Sequence, residues 1–440
     1  MVIEKNDIFE NMPVPKAVLK LALPTMMGML VSVIYNLADT FFVGQLNDPY
    51  QVAAVTITMP IFLFLMAFGS IFGIGGGAFI SRLLGMKDYE SVKKTSSFAF
   101  YGGLFVGLVC TILALIFMPN LLNISGASEN TYLFAENYLK VIALGAPVII
   151  LGFSLGQLIR AEGSAKEAMF GMMLGTVINI ILDPILILWA GWGVQGAAIA
   201  TVIANLISVL YYLRYFKKGS SVLSVSFSYF VFDSKIIGEI FSIGIPASLN
   251  SLLMSSSNIV LNNFAVSYGD NVVAAFGVIG RINMLPIFLL IGLAQGAQPL
   301  LGYNYASGNI KRMKEAMKFT GMISAGIGSL FAIIFFFTGR SLVRIFIDDA
   351  NVILLGEQFI RVIILSLPIL GILMLITVTF QAIGAARPSL ILSVARQGFV
   401  FLPVLLIGNY FFGMDGLIFA QPIADIGAVA LAIFLFKKIK

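Results

Sequence analysis

Twelve apolar stretches, each about as long as the 20 or so residues a helix needs to cross a bilayer, govern what this chain can fold into. They cover residues 21–43, 52–72, 96–118, 138–158, 168–189 and 196–216, then 241–266, 272–295, 316–337, 355–379, 390–409 and 414–436. In hydrocarbon every backbone N–H and C=O must be satisfied within the segment, so spans of this kind fold as helices. Little chain remains between them for a large soluble domain. The 440 residues are 59% hydrophobic and 11% charged, against roughly 25% charged in ordinary soluble domains. A soluble enzyme or a nucleic-acid binder is thereby excluded, and the lipid bilayer is the expected surroundings.

Charge sets the orientation, because Lys and Arg resist translocation. With the start placed inside, the inner segments hold 21 of the 27 Lys and Arg, from Lys5 to Lys440, while the outer loops hold only Arg340 and Arg344. A multi-pass protein of the inner or plasma membrane is expected, with both termini cytoplasmic. The opening residues mix acids and lysines and lead into a full-length span, so no cleavable signal is expected. Trp189 and Trp192 at the outer end of span five, and Tyr211, Tyr212 and Tyr215 at the inner end of span six, fit interfacial aromatic belts.

The second half repeats the first at an offset near 221. Residues 137–147 (NYLKVIALGAP) match 358–368 (QFIRVIILSLP), 160–166 (RAEGSAK) match 381–387 (QAIGAAR), and 193–205 (GVQGAAIATVIAN) match 413–425 (GMDGLIFAQPIAD). The expected fold is an all-α polytopic membrane protein with twelve transmembrane helices in two six-helix lobes, related by a pseudo-twofold axis along the membrane normal. The first lobe is 1–216, the second 236–440. The Ser-rich linker 217–235 is expected along the inner interface. Duplicated bundles that rock against each other are a transporter architecture, with the substrate path between them. A duplicated channel or membrane enzyme is the competing reading.

Histidine is absent and Cys110 is the sole cysteine, which removes His-based acid–base chemistry, Cys/His metal clusters and an intrachain disulfide. Ionisable groups within spans are costly and mark function by default. Asp39 stands near the outer end of span one. Asn179 and Asp183, spaced i, i+4, share a face of span five, and Thr201 is near the outer end of span six. Their depths permit one shared site. Two carboxylates, an amide and a hydroxyl suit a hard cation such as Na+ and equally suit protons; a structural hydrogen-bond network between helices is the alternative.

Polar and methionine stripes run inward from this cluster: Met29, Ser32 and Asn36 on span one, Met172 and Thr176 on span five, Asn205 on span six. Such a lining suits a promiscuous amphipathic ligand, and Tyr35 and Gln157 join the candidate substrate-binding residues. Span seven carries Asn258 on a polar face. Arg281, Arg396 and Asp425 lie at middle depths of spans eight, eleven and twelve, where an ion pair involving Asp425 is the economical reading and a second relay the functional one. Pro24 is a candidate hinge in span one.

Residues 21–46 (LALPTMMGMLVSVIYNLADTFFVGQL), with Pro24 and the Asp39-Thr40 to Gly44 signature, resemble the opening span of the multidrug and toxic compound extrusion (MATE) transporters. Residues 79–94 (FISRLLGMKDYESVKK), the two repeated loops and 179–187 (NIILDPILI) are similar as well, and the likeness covers essentially the whole chain. The resemblance implies export of small amphipathic, usually cationic compounds, driven by an H+ or Na+ gradient without a cofactor. It also implies that Asp39, Asn179, Asp183 and Thr201 couple the cation. Some members carry acids on spans seven and ten; this chain is read as lacking them, which favours the first lobe for coupling. A monomer is expected.

Two rivals remain. A lipid-linked oligosaccharide flippase of the same superfamily commonly has two further spans and a charged cavity. An intramembrane aspartyl protease needs two opposed aspartates, but the nearest approach to its Gly-x-Gly-Asp signature, residues 267–270 (SYGD), falls in an outer loop.

Overall fold

The computed structural model describes residues 7–46, 48–219 and 221–438. Lys5 and Lys440, counted above among the inner charges, and Ser220 of the linker lie outside the described residues. Among the described residues ten helices are each long and apolar enough to cross a bilayer: Val14–Gly44, Pro49–Gly85, Tyr89–Ile116, Ala165–Trp189, Gly193–Lys217, Ser234–Val266, Asp270–Ala306, Ile310–Phe346, Ala386–Phe412 and Met414–Lys437. The other two spans are bent pairs, Glu129–Leu144 with Ala146–Ala161 at 54° and Ala350–Ile363 with Leu367–Ala382 at 52°. Spans four and ten are therefore not the single runs 138–158 and 355–379 that hydropathy suggests. Pro147 and Pro368 stand second in the later helix of each pair. Each lacks an N–H for the preceding turn and disfavours helical geometry in the residue before it. They are matched positions of the repeat, so the bend is duplicated with the sequence.

Spans seven and ten correct a second reading, since both helices carry an acid after all: Glu239 lies in Ser234–Val266, and Glu357 pairs with Arg361 at 2.6 Å. The aromatic-belt reading is corrected at the inner end of span six. Trp189 is 83% exposed, as a belt residue should be, but Tyr212 and Tyr215 are buried. Their hydroxyls are spent inside, Tyr212 donating to the Ala168 carbonyl at 2.9 Å and Tyr215 to the Glu162 carboxylate. The linker follows span three. Ser96 and Ser97 donate to the Ser224 and Ser226 carbonyls at 2.9 Å, and Phe98 stacks on Phe230.

Packing differs between the two ends of the molecule. At the inner, Lys/Arg-rich end, one hydrophobic core joins residues of both halves, among them Val18, Leu21, Ile71, Phe79, Leu155, Ile240, Leu293, Leu301 and Phe380. Toward the outer end the cores separate, some built only from the first six spans and some only from the last six. The molecule is closed at the Lys/Arg-rich end and divided at the other.

Glycines allow the inner closure. A Cβ on Gly75 of span two would lie 2.1 Å from the Ile240 carbonyl oxygen of span seven, and one on Gly296 of span eight 2.5 Å from Ala22 Cα of span one. Gly75 and Gly296 are repeat mates at the offset of 221, so these are two copies of one contact. Ser81 and Gly302 are also mates, and they touch, with a Cβ on Gly302 only 3.0 Å from Ser81 Cβ. A residue in contact with its own mate sits beside the symmetry axis, which locates that axis between the inner ends of spans two and eight.

Polar contacts add to the seam. Arg82 of span two pairs with Glu239 of span seven at 2.8 Å. The segment before span one wedges in: Phe9 stacks on Tyr303 with ring centroids 4.7 Å apart, and Arg312 donates to the Ile8, Phe9 and Met12 carbonyls.

Candidate functional site

Span five presents its i, i+4 pair inward, leaving Asn179 1% and Asp183 0% exposed. Pro184 follows directly and opens a wide helical turn, Pro184–Trp189. With its amide turned to satisfy both neighbours, Asn179 donates to Asp183 Oδ2 at 3.1 Å and accepts from the Thr201 backbone N–H at 3.2 Å. Thr201 Oγ1 lies 3.3 Å from the Tyr35 hydroxyl, tying span six to span one. Asp39 is half-buried. It stands one helical turn beyond Tyr35 on the same face of span one. The four expected coupling residues thus belong to one neighbourhood on spans one, five and six.

The cluster is incomplete as a hydrogen-bonded unit. Asp183 Oδ1 is buried without a partner, and Asp39 has no hydrogen bond or ion pair among the described residues. A buried acceptor left unsatisfied is expensive, and a buried carboxylate more so. A proton on Asp183, or a small cation against it, removes that cost. Tyr138, at the bent span four, belongs to the neighbourhood and escapes a search for intramembrane acids and amides. It packs against Val43, Ile187, Val194 and Ala197 at the same ends of spans one, five and six.

The stripes below the cluster form the facing surfaces of spans one, five and six. Ser32 Oγ lies 3.6 Å from Met172 Sδ, and a Cβ on Gly28 would fall 2.3 Å from Met172 Cε. Asn36 and Asn205 spend their amide N–H groups on carbonyls one turn back, those of Ser32 and Thr201. Met29, Tyr35, Asn36, Thr176 and Asn205 remain partly accessible. Gln157 is a correction: it is 7% exposed and its Oε1 accepts from Arg160 at 2.9 Å. It stands four residues from the inner end of Ala146–Ala161, which places it in the seam and not in the polar stripe. Pro24 is buried within an unbroken helix, and Thr25 Oγ1 donates to the Leu21 carbonyl at 2.9 Å.

In the second half Arg396 Nε meets Asp425 Oδ1 at 2.9 Å, and Gln421 donates to the same oxygen at 3.0 Å. Arg281 is exposed on span eight and takes no part in this pair. On span seven Ser251, Asn258 and Asn262 are exposed, as polar residues facing an outer cleft would be, since lipid would not solvate them.

The MatE family model matches residues 24–185 and again residues 246–407, once in each half. The multidrug export protein MepA of Staphylococcus aureus (strain MRSA252) is 40% identical over 423 residues, covering 96% of this chain and 93% of that protein. A solved structure described as the outward-facing conformation of a multidrug resistance MATE family transporter superposes with a TM-score of 0.92 at 28% identity, covering 97% of this chain and 95% of that one. A MATE crystal structure in the straight conformation gives 0.93 at 27% identity, covering 98% and 97%.

Proposed function

This chain belongs to the MATE family of transporters, and on that premise we propose that it exports small amphipathic, mostly cationic drugs in exchange for H+ or Na+, by alternating access. As a member of that family it is a transporter and not an enzyme, and it needs no cofactor. The name carried by its MepA relatives supports drugs as cargo. The observation that carries the coupling reading is the unpartnered Asp183 Oδ1 beside Asp39, Asn179 and Thr201.

In this reading residues 1–216 and 236–440 are the two moving lobes, joined by 217–235, and the monomer sits in the plasma membrane with both termini cytoplasmic. The division of the outer cores corresponds to the outward-open state. The partly accessible Met29, Ser32, Tyr35, Asn36, Met172, Thr176 and Asn205 line the drug path, and Pro24 lets span one flex as the cation loads. The test is uptake of a fluorescent organic cation into proteoliposomes under imposed proton and sodium gradients in turn. One gradient should drive transport of the wild type and fail to drive the Asp39→Asn variant. Undiminished gradient-driven transport by Asp39→Asn would remove that residue from coupling.

A further inference from the structure

A second charged site lies in the inner seam, away from the acidic cluster. Arg160 is 7% exposed, and its Nη1 donates to Gln157 Oε1 at 2.9 Å and to Gln295 Oε1 at 2.8 Å. Both acceptors are neutral. Among the described residues no carboxylate pairs with this guanidinium; the nearby Glu162 is engaged by Tyr215, Ser221 and the Val222 N–H. Arg160 Nε and Gln298 Nε2 are buried donors without an acceptor. Both side chains line a small cavity with Gln157, Gln295 and Gly77. The cavity has room for about one water-sized occupant.

A buried cation with unsatisfied donors and no counter-ion is among the costliest arrangements a protein can hold. Water would accept from the donors but would leave the charge uncompensated. A monatomic anion answers both demands in the space available. We propose that this cavity is a chloride-binding site that holds the inner face closed. Its walls come from both halves, Gln157, Arg160 and Gly77 from the first and Gln295 and Gln298 from the second, so the full set of donors surrounds the anion only when the halves meet. The repeat mates of Gln295 and Gln298 are Ile74 and Gly77, which line the same cavity. The mate of Arg160 is Gln381, so the cationic donor is supplied by one half alone.

The test uses the full-length protein in nanodiscs, with sodium chloride, sodium bromide and sodium gluconate at equal ionic strength. Chloride and bromide should raise the unfolding midpoint saturably, by about 2 °C, and gluconate should not. The shift should vanish in Gln298→Leu, which removes one donor, and in Arg160→Gln, which removes the charge. A bromide-soaked crystal should show anomalous density beside Arg160 and Gln298. Equal midpoints in chloride and gluconate for the wild type, a halide shift that persists in both variants, or bromide-soaked crystals without that density would each overturn the proposal. None of these readouts involves transport, so they stand or fail independently of the export reading.

Discussion

Replacing Gly75 with alanine should open the inner face. The added Cβ would lie 2.1 Å from the Ile240 carbonyl oxygen and 3.0 Å from the Gly244 nitrogen, where ordinary contact begins at 3.4 Å. Both obstacles are backbone, so relief requires the helices to part. Overpacking of this kind costs about 1–3 kcal/mol, and only the inner-closed state bears it, because the contact does not exist once the halves separate. The equilibrium should therefore move toward the inner-open state by about 5- to 150-fold. The assay is thiol labelling from the inner side in a Cys110→Ser background with Val18→Cys, a position fully buried in the shared inner core. The labelling rate should rise within that range, and Gly296→Ala should act alike because it is the mated contact. Gly238→Ala, where a Cβ meets nothing within 4 Å, is the control. If Gly75→Ala labels no faster than Gly238→Ala, the contact between spans two and seven is not what closes the inner face.

Three further outcomes follow from the same geometry. Asp183→Asn should express and insert normally while gradient-driven drug uptake falls to background, because it removes the orphaned carboxylate and keeps its shape; full uptake would show that the buried acid is structural only. Arg396→Met leaves Asp425, 2% exposed at its side chain, as an unpaired buried charge, and should cost about 3–5 kcal/mol of stability; thermal melts should recover most of it in the Arg396→Met, Asp425→Leu double variant. The Tyr303 hydroxyl on Glu10, 2.6 Å away, outweighs partial burial and with Lys87 holds the Glu10 carboxyl below its ordinary 4.5. A depressed value means that the stabilisation is present above 4.5 and is lost as pH falls through the folded value. Hydrogen exchange of residues 7–12 should accelerate only in that acid range in the wild type, and already at neutral pH in Tyr303→Phe.

The spans, their order and their duplication were legible because membrane burial demands long apolar runs and the repeat kept its motifs. The polar cluster of Asp39, Asn179, Asp183 and Thr201, proposed above for coupling, was legible as a cluster because an acid in hydrocarbon is expensive and few are retained. Other features depend on contacts that no local pattern encodes. Hydropathy averages over the bends at Pro147 and Pro368. Tyr212 and Tyr215 have the composition of a belt and the burial of a core, and only the neighbours that accept their hydroxyl hydrogen bonds decide between the two. Gln157 reads as one more polar residue until the bent span four carries it into the seam beside Arg160. Arg396 and Arg281 offer the same charge to Asp425 at sequence level, and only the packing of spans eleven and twelve selects Arg396.

The twofold frame and the one-sided charge together bound how the proposed coupling could work. At the offset of 221 the mates of Asn179 and Asp183 are Val400 and Val404, while the second-half acids Glu239, Glu357 and Asp425 are each paired with an arginine, Arg82, Arg361 and Arg396. Loading a proton or Na+ therefore changes the charge of one half only, against a seam whose close contacts are duplicated across the axis. Reversing a population from 1:99 to 99:1 takes about 5.5 kcal/mol of differential binding. Burying an uncompensated ion costs several kcal/mol even after relaxation. With the outer cores separate, Asp183 is buried with one carboxylate oxygen unpartnered, a cost that loading a proton or cation removes. A second acidic site in the other half is not required, and the seam need only be weak enough for one ion to decide it.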